Sequence, residues 1–375
     1  MTLWTPETIE VGGNLAALDA RLAAVPDRPA VFAIWPREGM PYLARTTLLR
    51  RRLRRLLGER PQPSRLLNLR SVAARVEYRL TASWLETTLV FYEAARRFFP
   101  DAYTSLMKLR MPPYVKLILS NRFPRAQITS RLSGARALYY GPFRTRTSAE
   151  QFESRFLDLF QIRRCQEDLV PSPSHPGCIY GEMIMCLRPC QQAVSDEEYA
   201  SEVRRVEEFL ESDGRSLQES VAHARERLSQ ELNFEEAARQ HKRIEKIQEV
   251  LKLRDELARN VERLNGVAVT ASTEPGCVEL WFVLRGCWQP PRRFGFEVAG
   301  GKTVSMDHRL REVAASLEPR PLRTRERQEH LALLARWFYA SHRDDEWIAF
   351  DDLAAIPYRK LVNAIARLIH LRPVG

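Results

Sequence analysis

Between Phe160 and Val194 the sequence reads FQIRRCQEDLVPSPSHPGCIYGEMIMCLRPCQQAV, and this stretch limits the possible folds more than any other. It holds Cys165, Cys178, Cys186 and Cys190, four of the six cysteines of the chain, spaced C-x12-C-x7-C-x3-C. Pro171, Pro173, Pro176 and Pro189 keep the segment out of regular helix, so something other than backbone hydrogen bonding has to organise it. Thiolates are soft ligands that suit iron and zinc, and the run from Cys186 to Cys190 is short enough for both sulfurs to reach one centre. The expectation is a bound metal or iron–sulfur cluster that orders the loop as it binds. Two disulfides are the alternative. They are disfavoured because nothing marks the chain as secreted and cytosolic thiols stay reduced.

At 375 residues the chain exceeds one typical domain. Its formal charge of +11 favours a polyanionic partner, nucleic acid before an anionic membrane. No apolar run approaches the length of a membrane span. The opening MTLWTPETIEVGG has neither the basic nor the apolar region of an export signal, so a cytoplasmic protein is expected.

The pattern predicts a multidomain α+β chain. Residues 1–25 read as an N-terminal arm with a short helix over Asn14–Ala24. Residues 26–108 read as an α/β domain: a hairpin of Ala30–Trp35 and Met40–Arg45, a basic helix, a strand over Arg75–Thr81, and a helix ended by Pro100. In the basic helix Leu48, Leu49, Leu53, Leu56 and Leu57 make the apolar stripe, and Arg50, Arg51, Arg52, Arg54 and Arg55 cover the rest. Residues 109–200 read as a β-rich and cysteine-rich region with strands in Tyr114–Leu119, AQITSRL and Ala137–Phe143. Residues 201–260 are helical, with breaks near Ser212–Gly214 and Leu232–Asn233. Residues 261–375 are mixed, with strands GVAVTAS, CVELWFVLRG and RRFGFEV, then helices over Glu329–His342 and Tyr358–Leu368.

Four signatures in one order resemble the first two-thirds of the UvrC family, the incision subunit of bacterial nucleotide excision repair. Pro26-Asp-Arg-Pro29-Ala30-Val31-Phe32 and Tyr42-Leu43-Ala44-Arg45 occupy the places of a GIY-YIG nuclease core. Phe123-Pro-Arg125 and Tyr139-Tyr-Gly-Pro-Phe143 are similar to the family's FPR and YFGPY. The C-x7-C-x3-C ending matches its iron–sulfur segment. Leu232-Asn-Phe234-Glu235-Glu-Ala237-Ala238 is similar to the UVR motif that pairs with a like motif in UvrB, and Leu280–Gly286 is a fainter echo of a further strand.

A GIY-YIG site, as the resemblance implies, uses tyrosines near a water nucleophile, an arginine on the scissile phosphate, and one glutamate holding a divalent metal. Tyr42 and Arg52 keep the second tyrosine and the arginine. The first tyrosine is Phe32, the YIG glycine is Ala44, and the lysine after it is Arg45. Ungapped alignment puts Phe91 at the glutamate and Tyr103 at the family's asparagine. At about 100° per residue, Glu93 and Glu86 point away from the Phe91 position. Phenylalanine cannot ligate Mg²⁺, so the nuclease site reads as inactive. The sequence also ends before a ribonuclease H-like half would be expected. Asp344, Asp345, Glu346, Asp351 and Asp352 read as solvated first-turn or cap positions of helices, not metal ligands.

The resemblance implies an iron–sulfur cluster, of the four-iron, four-sulfur kind, on the cysteine quartet, with zinc as the alternative; Mg²⁺ enters only if the nuclease site is active. Arg45, Arg50, Arg51, Arg54 and Arg55 are the DNA-binding candidates, and Lys108, Arg110, Lys116, Arg122 and Arg125 are expected to extend that surface. Arg188 is placed to bring the cluster near DNA. Phe234, Ala237, Ala238 and Ile244 are read as one apolar face for a UvrB-like partner or a second copy of the chain. The expected function is an accessory or regulatory DNA-binding relative of the incision subunit. An active single-incision endonuclease with a rearranged site, and a redox sensor whose cluster controls DNA binding, are the rivals.

Overall fold

The structure is a computed structural model that describes residues 2–11, 15–59, 67–134, 136–295, 298–299, 302–303, 305–320, 323–341 and 345–370. Its first unit contains β1 (Glu7–Glu10), α1 (Leu15–Ala24), β2 (Ala30–Pro36), β3 (Tyr42–Thr46), α2 (Leu49–Leu57), β4 (Ala73–Leu80), α3 (Trp84–Phe98) and α4 (Tyr103–Leu106). The strands form an antiparallel sheet in the order β1-β4-β2-β3. Side chains on β2 alternate, as the pleat requires. Ala30, Phe32 and Ile34 join the core under α1 and α2, whereas Val31 and Ala33 join the core shared with α3. That alternation decides which family positions can meet.

Two expectations are corrected here. Residues 1–25 are no free arm: Glu7 pairs with Tyr78 and Glu10 with Arg75 across β1 and β4. Leu18 and Leu22 are fully buried, and Trp4 packs edge-on against Phe98. The apolar residues of the arm are what bind it to the domain. In α2 the buried stripe is Leu49, Leu53, Leu56 and Leu57; Leu48 is the N-cap, outside the helical repeat, and is exposed.

The second unit holds β5 (Tyr114–Ile118), β6 (Arg125–Thr129), β7 (Ala137–Gly141), α5 (Arg146–Leu157), α6 (Ile179–Glu182), α7 (Asp196–Glu211), α8 (Arg215–Gln230), α9 (Phe234–Lys252) and β8 (Arg259–Asn260). The sheet order is β6-β5-β7-β8. Residues 109–200 and 201–260, read from the sequence as separate units, share one core. Tyr140, Phe152 and Phe156 from the first stretch pack with Phe209, Val221 and Ile247 from the second. A sheet with one apolar face needs a cover, and α5 and α7–α9 supply it. The helix breaks fall where expected, at Asp213 and Gly214 (φ 54° and 87°) and at Leu232 (φ 61°). Gly141 has φ 151°, and a Cβ there would lie 2.8 Å from the Tyr114 ring and 3.2 Å from the Pro113 carbonyl oxygen.

The third unit comprises β9 (Asn265–Ala271), β10 (Cys277–Leu284), β11 (Cys287–Trp288), β12 (Arg292–Gly295), β13 (Val298–Ala299), β14 (Lys302–Thr303), α10 (Met306–Ala315), α11 (Thr324–Phe338), β15 (Glu346–Phe350) and α12 (Tyr358–His370). Its main sheet runs β11-β10-β9-β15, with β12 also on β10. The acidic cluster is corrected in part. Glu346 opens a strand, paired with Val269 and ion-paired to Arg367 at 2.6 Å. Asp352 does cap, accepting the Ala354 and Ala355 N–H groups. Asp344 lies outside the described residues. The alternating EWIAF was missed as a strand because acidic residues flank it.

One apolar mass crosses all three units. Val90 and Ala94 of α3, Tyr114 of β5, Trp281 and Trp288 of the third sheet, and Trp337 of α11 belong to a single buried cluster. No described helix is long and apolar enough to cross a membrane.

Candidate functional site

The nuclease-like positions divide between the two faces of the first sheet. Phe32 pairs with Ala44 and Ile34 with Tyr42 across β2 and β3, so Phe32 and Tyr42 share the face toward α2. Their ring centroids are 6.2 Å apart. Arg52 on α2 donates to the Tyr42 hydroxyl at 3.1 Å, and its Nε is buried without a partner. The structure brings Tyr42 and Arg52 together.

Phe91 lies on the other face, in the core shared with α3. The Arg45 guanidinium stands over its ring, 5.8 Å from the centroid. Desolvation there, with repulsion from Arg336 of α11 second, holds Arg45 below the ordinary arginine value. Where the resemblance would put an anionic metal ligand, this chain has an apolar ring beneath a guanidinium.

Nearby carboxylates are already committed. Glu93 accepts the backbone N–H groups of Leu3 and Trp4 at 2.5 and 2.9 Å. Glu86 accepts the Ala82 N–H at 2.8 Å and pairs with Arg79 at 3.6 Å; burial pushes its carboxyl up, against both partners. Glu329 of α11 is 1% exposed and accepts the hydroxyls of Tyr92 and Tyr103, at 2.6 and 2.5 Å. Tyr103, at the family's asparagine position, thus binds the third unit. A hard cation needs oxygen ligands with free lone pairs. The residues present do not fit a divalent metal at position 91.

The arginines are likewise divided. Arg51, Arg54 and Arg55 are exposed on α2 and Arg50 half so, with the Arg51 N–H donating to Asp27. Arg45 faces α3 instead. The five cations expected to extend the α2 surface scatter. Arg122 pairs with Asp196 at 2.9 Å, Arg125 donates to Gln166, and Lys116 lies over the Tyr139 ring. Lys108 and Arg110 line a cleft of about 830 Å³ between the second unit and α11, together with Arg144, Arg146 and Arg336.

The cysteine segment is anchored by the FPR turn. Arg163 Nε donates to the Phe123 carbonyl at 3.0 Å, the Tyr199 hydroxyl to the Pro124 carbonyl at 2.8 Å, and Arg125 Nη1 to Gln166 at 2.6 Å. All four cysteines are free thiols. They are neighbours: burial pushes the Cys186 thiol up to about 11, and Cys165, Cys178 and Cys190 each add to that. Cys186 accepts the Arg188 N–H at 3.4 Å, and Arg163 lies 3.6 Å from Cys165 Sγ. Among the described residues no three His, Cys, Asp or Glu side chains form a group that could hold a metal ion. As a donor set, four free thiols with N–H donors beside them fit a soft metal centre.

The helical hairpin of α8 and α9 separates the four partner-binding candidates. Phe234 is 64% exposed at the tip beside Leu232 at 73%, and Ala238 is exposed. Ala237 is buried, and Ile244 packs on the core of the second unit. They do not form one face: positions 234 and 238 share one side of the helix, and 237 and 244 share another. Sequence reasoning also missed Glu329, Arg144 and Arg336. Arg336 donates to the Met107 carbonyl, 229 positions away in the chain, and no local pattern announces such a contact.

Residues 113–209, from the start of β5 to most of α7, match the family model of the UvrC/Cho excinuclease middle domain. The UvrABC system protein C of Moorella thermoacetica is 27% identical over 292 residues, 78% of this chain and 45% of the relative. That of Rickettsia bellii is 25% identical over 275 residues, 73% of this chain and 43% of the relative. The chain spans about half the length of the curated relatives it matches. No solved structure matches it.

Proposed function

This chain belongs to the UvrC family, and from that premise we propose that it is a DNA-binding protein of the nucleotide-excision-repair type whose GIY-YIG site holds DNA without cutting it. It acts as an accessory or regulatory factor. The observation that carries this reading is Phe91 beneath the Arg45 guanidinium, with Glu86, Glu93 and Glu329 all engaged elsewhere. Without a carboxylate there is nothing to position a cation against the charge that develops on a leaving oxygen. Phe32 has no hydroxyl for proton transfer, and Tyr78, the phenol paired with it across the sheet, is engaged in donating to Glu7 at 2.6 Å.

Binding falls to the cationic side chains. Arg52 and Tyr42 keep their hydrogen bond, and the buried, unpartnered Nε of Arg52 supplies a further donor for a phosphate. Contacts of this kind give affinity without sequence choice and a steep dependence on salt. The tip of the α8–α9 hairpin, with Leu232 and Phe234 exposed, is the docking point for a UvrB-like protein. Cys165, Cys178, Cys186 and Cys190 would hold an iron–sulfur cluster, or zinc, whose role when bound is to tie the loop together.

The test is incision of lesion-bearing duplex, with and without a UvrB-like partner, in Mg²⁺ or Mn²⁺. The expected result is binding without nicking. Divalent-dependent nicking that disappears in Arg52→Ala would overturn it in favour of the second reading, a single-incision endonuclease. The preserved Tyr42–Arg52 contact is the observation on that side.

A further inference from the structure

We infer that the cleft between the second unit and α11 is a metal-independent phosphate track, which leads a single DNA strand toward Arg45. The inference rests on the DNA-binding reading above and deepens it by naming where the strand lies. The cleft, about 830 Å³, is lined by Lys108, Arg110, Arg144, Arg146 and Arg336, with no carboxylate in its lining. Among the described residues Arg146 alone of these five has its side chain in an ion pair, with Glu150 at 2.7 Å. Asp255, at the rim, is occupied by the Arg144 N–H at 2.7 Å and the Ser148 hydroxyl at 2.8 Å.

Lys108, Arg110, Arg144 and Arg146 are exposed along the cleft, and Arg336 is the one held from within. Arg336 is half-buried and fixed by the Met107 carbonyl at 2.8 Å, close enough to Arg45 to repel it. Lys108 leaves the chain from a backbone with φ 49°, at the end of a turn closed by the Lys108 N–H to Ser105 and the Leu109 N–H to Thr104. Like charges held together without an acid between them lower the cost of taking in an anion. The continuity from Lys108 and Arg110 through Arg336 to Arg45 gives the track a direction. The Arg45 guanidinium stands over Phe91, where the family's divalent ion would be expected, and Arg336 of the third unit is held at the Met107 carbonyl beyond it. They need no metal, so EDTA should not release the strand.

At about 830 Å³ the cleft is too small to enclose a duplex, and a cationic groove that follows one backbone is how single strands are held without base readout. The experiment is fluorescence anisotropy of the full chain with labelled single-stranded and duplex oligonucleotides in EDTA, across a salt series. Lys108→Gln/Arg110→Gln/Arg336→Gln is compared with Arg51→Gln/Arg54→Gln on α2 and with wild type. The inference expects single-strand affinity to fall at least tenfold in the triple variant. The slope of log affinity against log salt should become shallower by about two, from roughly 0.7 counterions per phosphate contact. Lysine at positions 110 and 336 should restore the slope.

A triple variant with wild-type slope overturns the track and leaves the DNA-binding reading standing. So does loss confined to duplex, or to the α2 variant. Wild-type protein that binds neither oligonucleotide overturns both. Should the triple variant fail to melt like wild type, exposed Lys108→Glu alone serves, with the same slope change in proportion to its charge.

Discussion

Removing the Glu329 carboxylate should unlatch the first unit from the third. Glu329 is 1% exposed, and Tyr92 and Tyr103, 4% and 5% exposed, both donate to it. Hydrogen bonds to a buried charge are worth about 1.5–3 kcal/mol each, and an orphaned buried hydroxyl costs a similar amount. The third contact, Arg325 at 3.2 Å, is 76% exposed on the arginine side and adds little. Glu329→Ala should therefore cost about 3–5 kcal/mol, since breaking a buried arrangement leaves its other members stranded. Glu329→Gln, whose carboxamide can still accept one hydroxyl, should cost roughly 1–2 kcal/mol. Tyr103→Phe should cost about the same and couple to Glu329→Ala in a double-mutant cycle. Urea unfolding followed by tryptophan fluorescence gives the energies, and hydrogen exchange at Tyr103–Leu106 gives the location. Stability of Glu329→Ala within about 1 kcal/mol of wild type, with unchanged protection of α4, would refute the reasoning.

Acid should weaken the same region by a different route. His330 accepts the Trp288 N–H at 3.0 Å, and burial pulls its pKa down to about 4. Its folded value lies below the unfolded one near 6.5, so its contribution is complete above pH 6.5 and is lost as pH falls toward 4. The loss amounts to roughly 3 kcal/mol; His330→Gln, which cannot titrate, should flatten that limb of the stability curve. Gly141→Ala should destabilise by about 2–4 kcal/mol, through strain at φ 151° and a clash with the Tyr114 ring, measured by thermal melting. On the proposed reading of the cysteine quartet, anaerobically purified protein should carry iron or zinc by elemental analysis and Cys186→Ser should not; wild type carrying zinc and no visible absorbance would exclude iron, and wild type with neither metal would refute the proposal.

Much of the architecture was legible because periodicity is local. The hairpin of β2 and β3, the breaks at Gly214 and Leu232, and the buried leucines of α2 all follow from spacing within a dozen residues. The site was legible only by position. Sequence placed phenylalanine at 91, but not Arg45 above it or Arg336 beside that, because a pleat decides the first and a contact between distant segments the second. The arm was misread for a similar reason: Leu3 and Trp4 look isolated until α3 supplies Glu93 and Phe98 to receive them. At the hairpin, apolar letters four and seven apart were merged into one face, which the helix keeps on different sides.

The tryptophan-rich mass that joins the three units also governs how the chain can be handled. Trp281, Trp288 and Trp337 are each at most 1% exposed, and α3 and β5 help to seal them. Excising the first hundred residues, a natural choice when hunting for a minimal nuclease fragment, would strip α3 from that mass and wet the indoles. Such fragments should be sticky and red-shifted in emission, and each piece should lose solubility before it loses secondary structure.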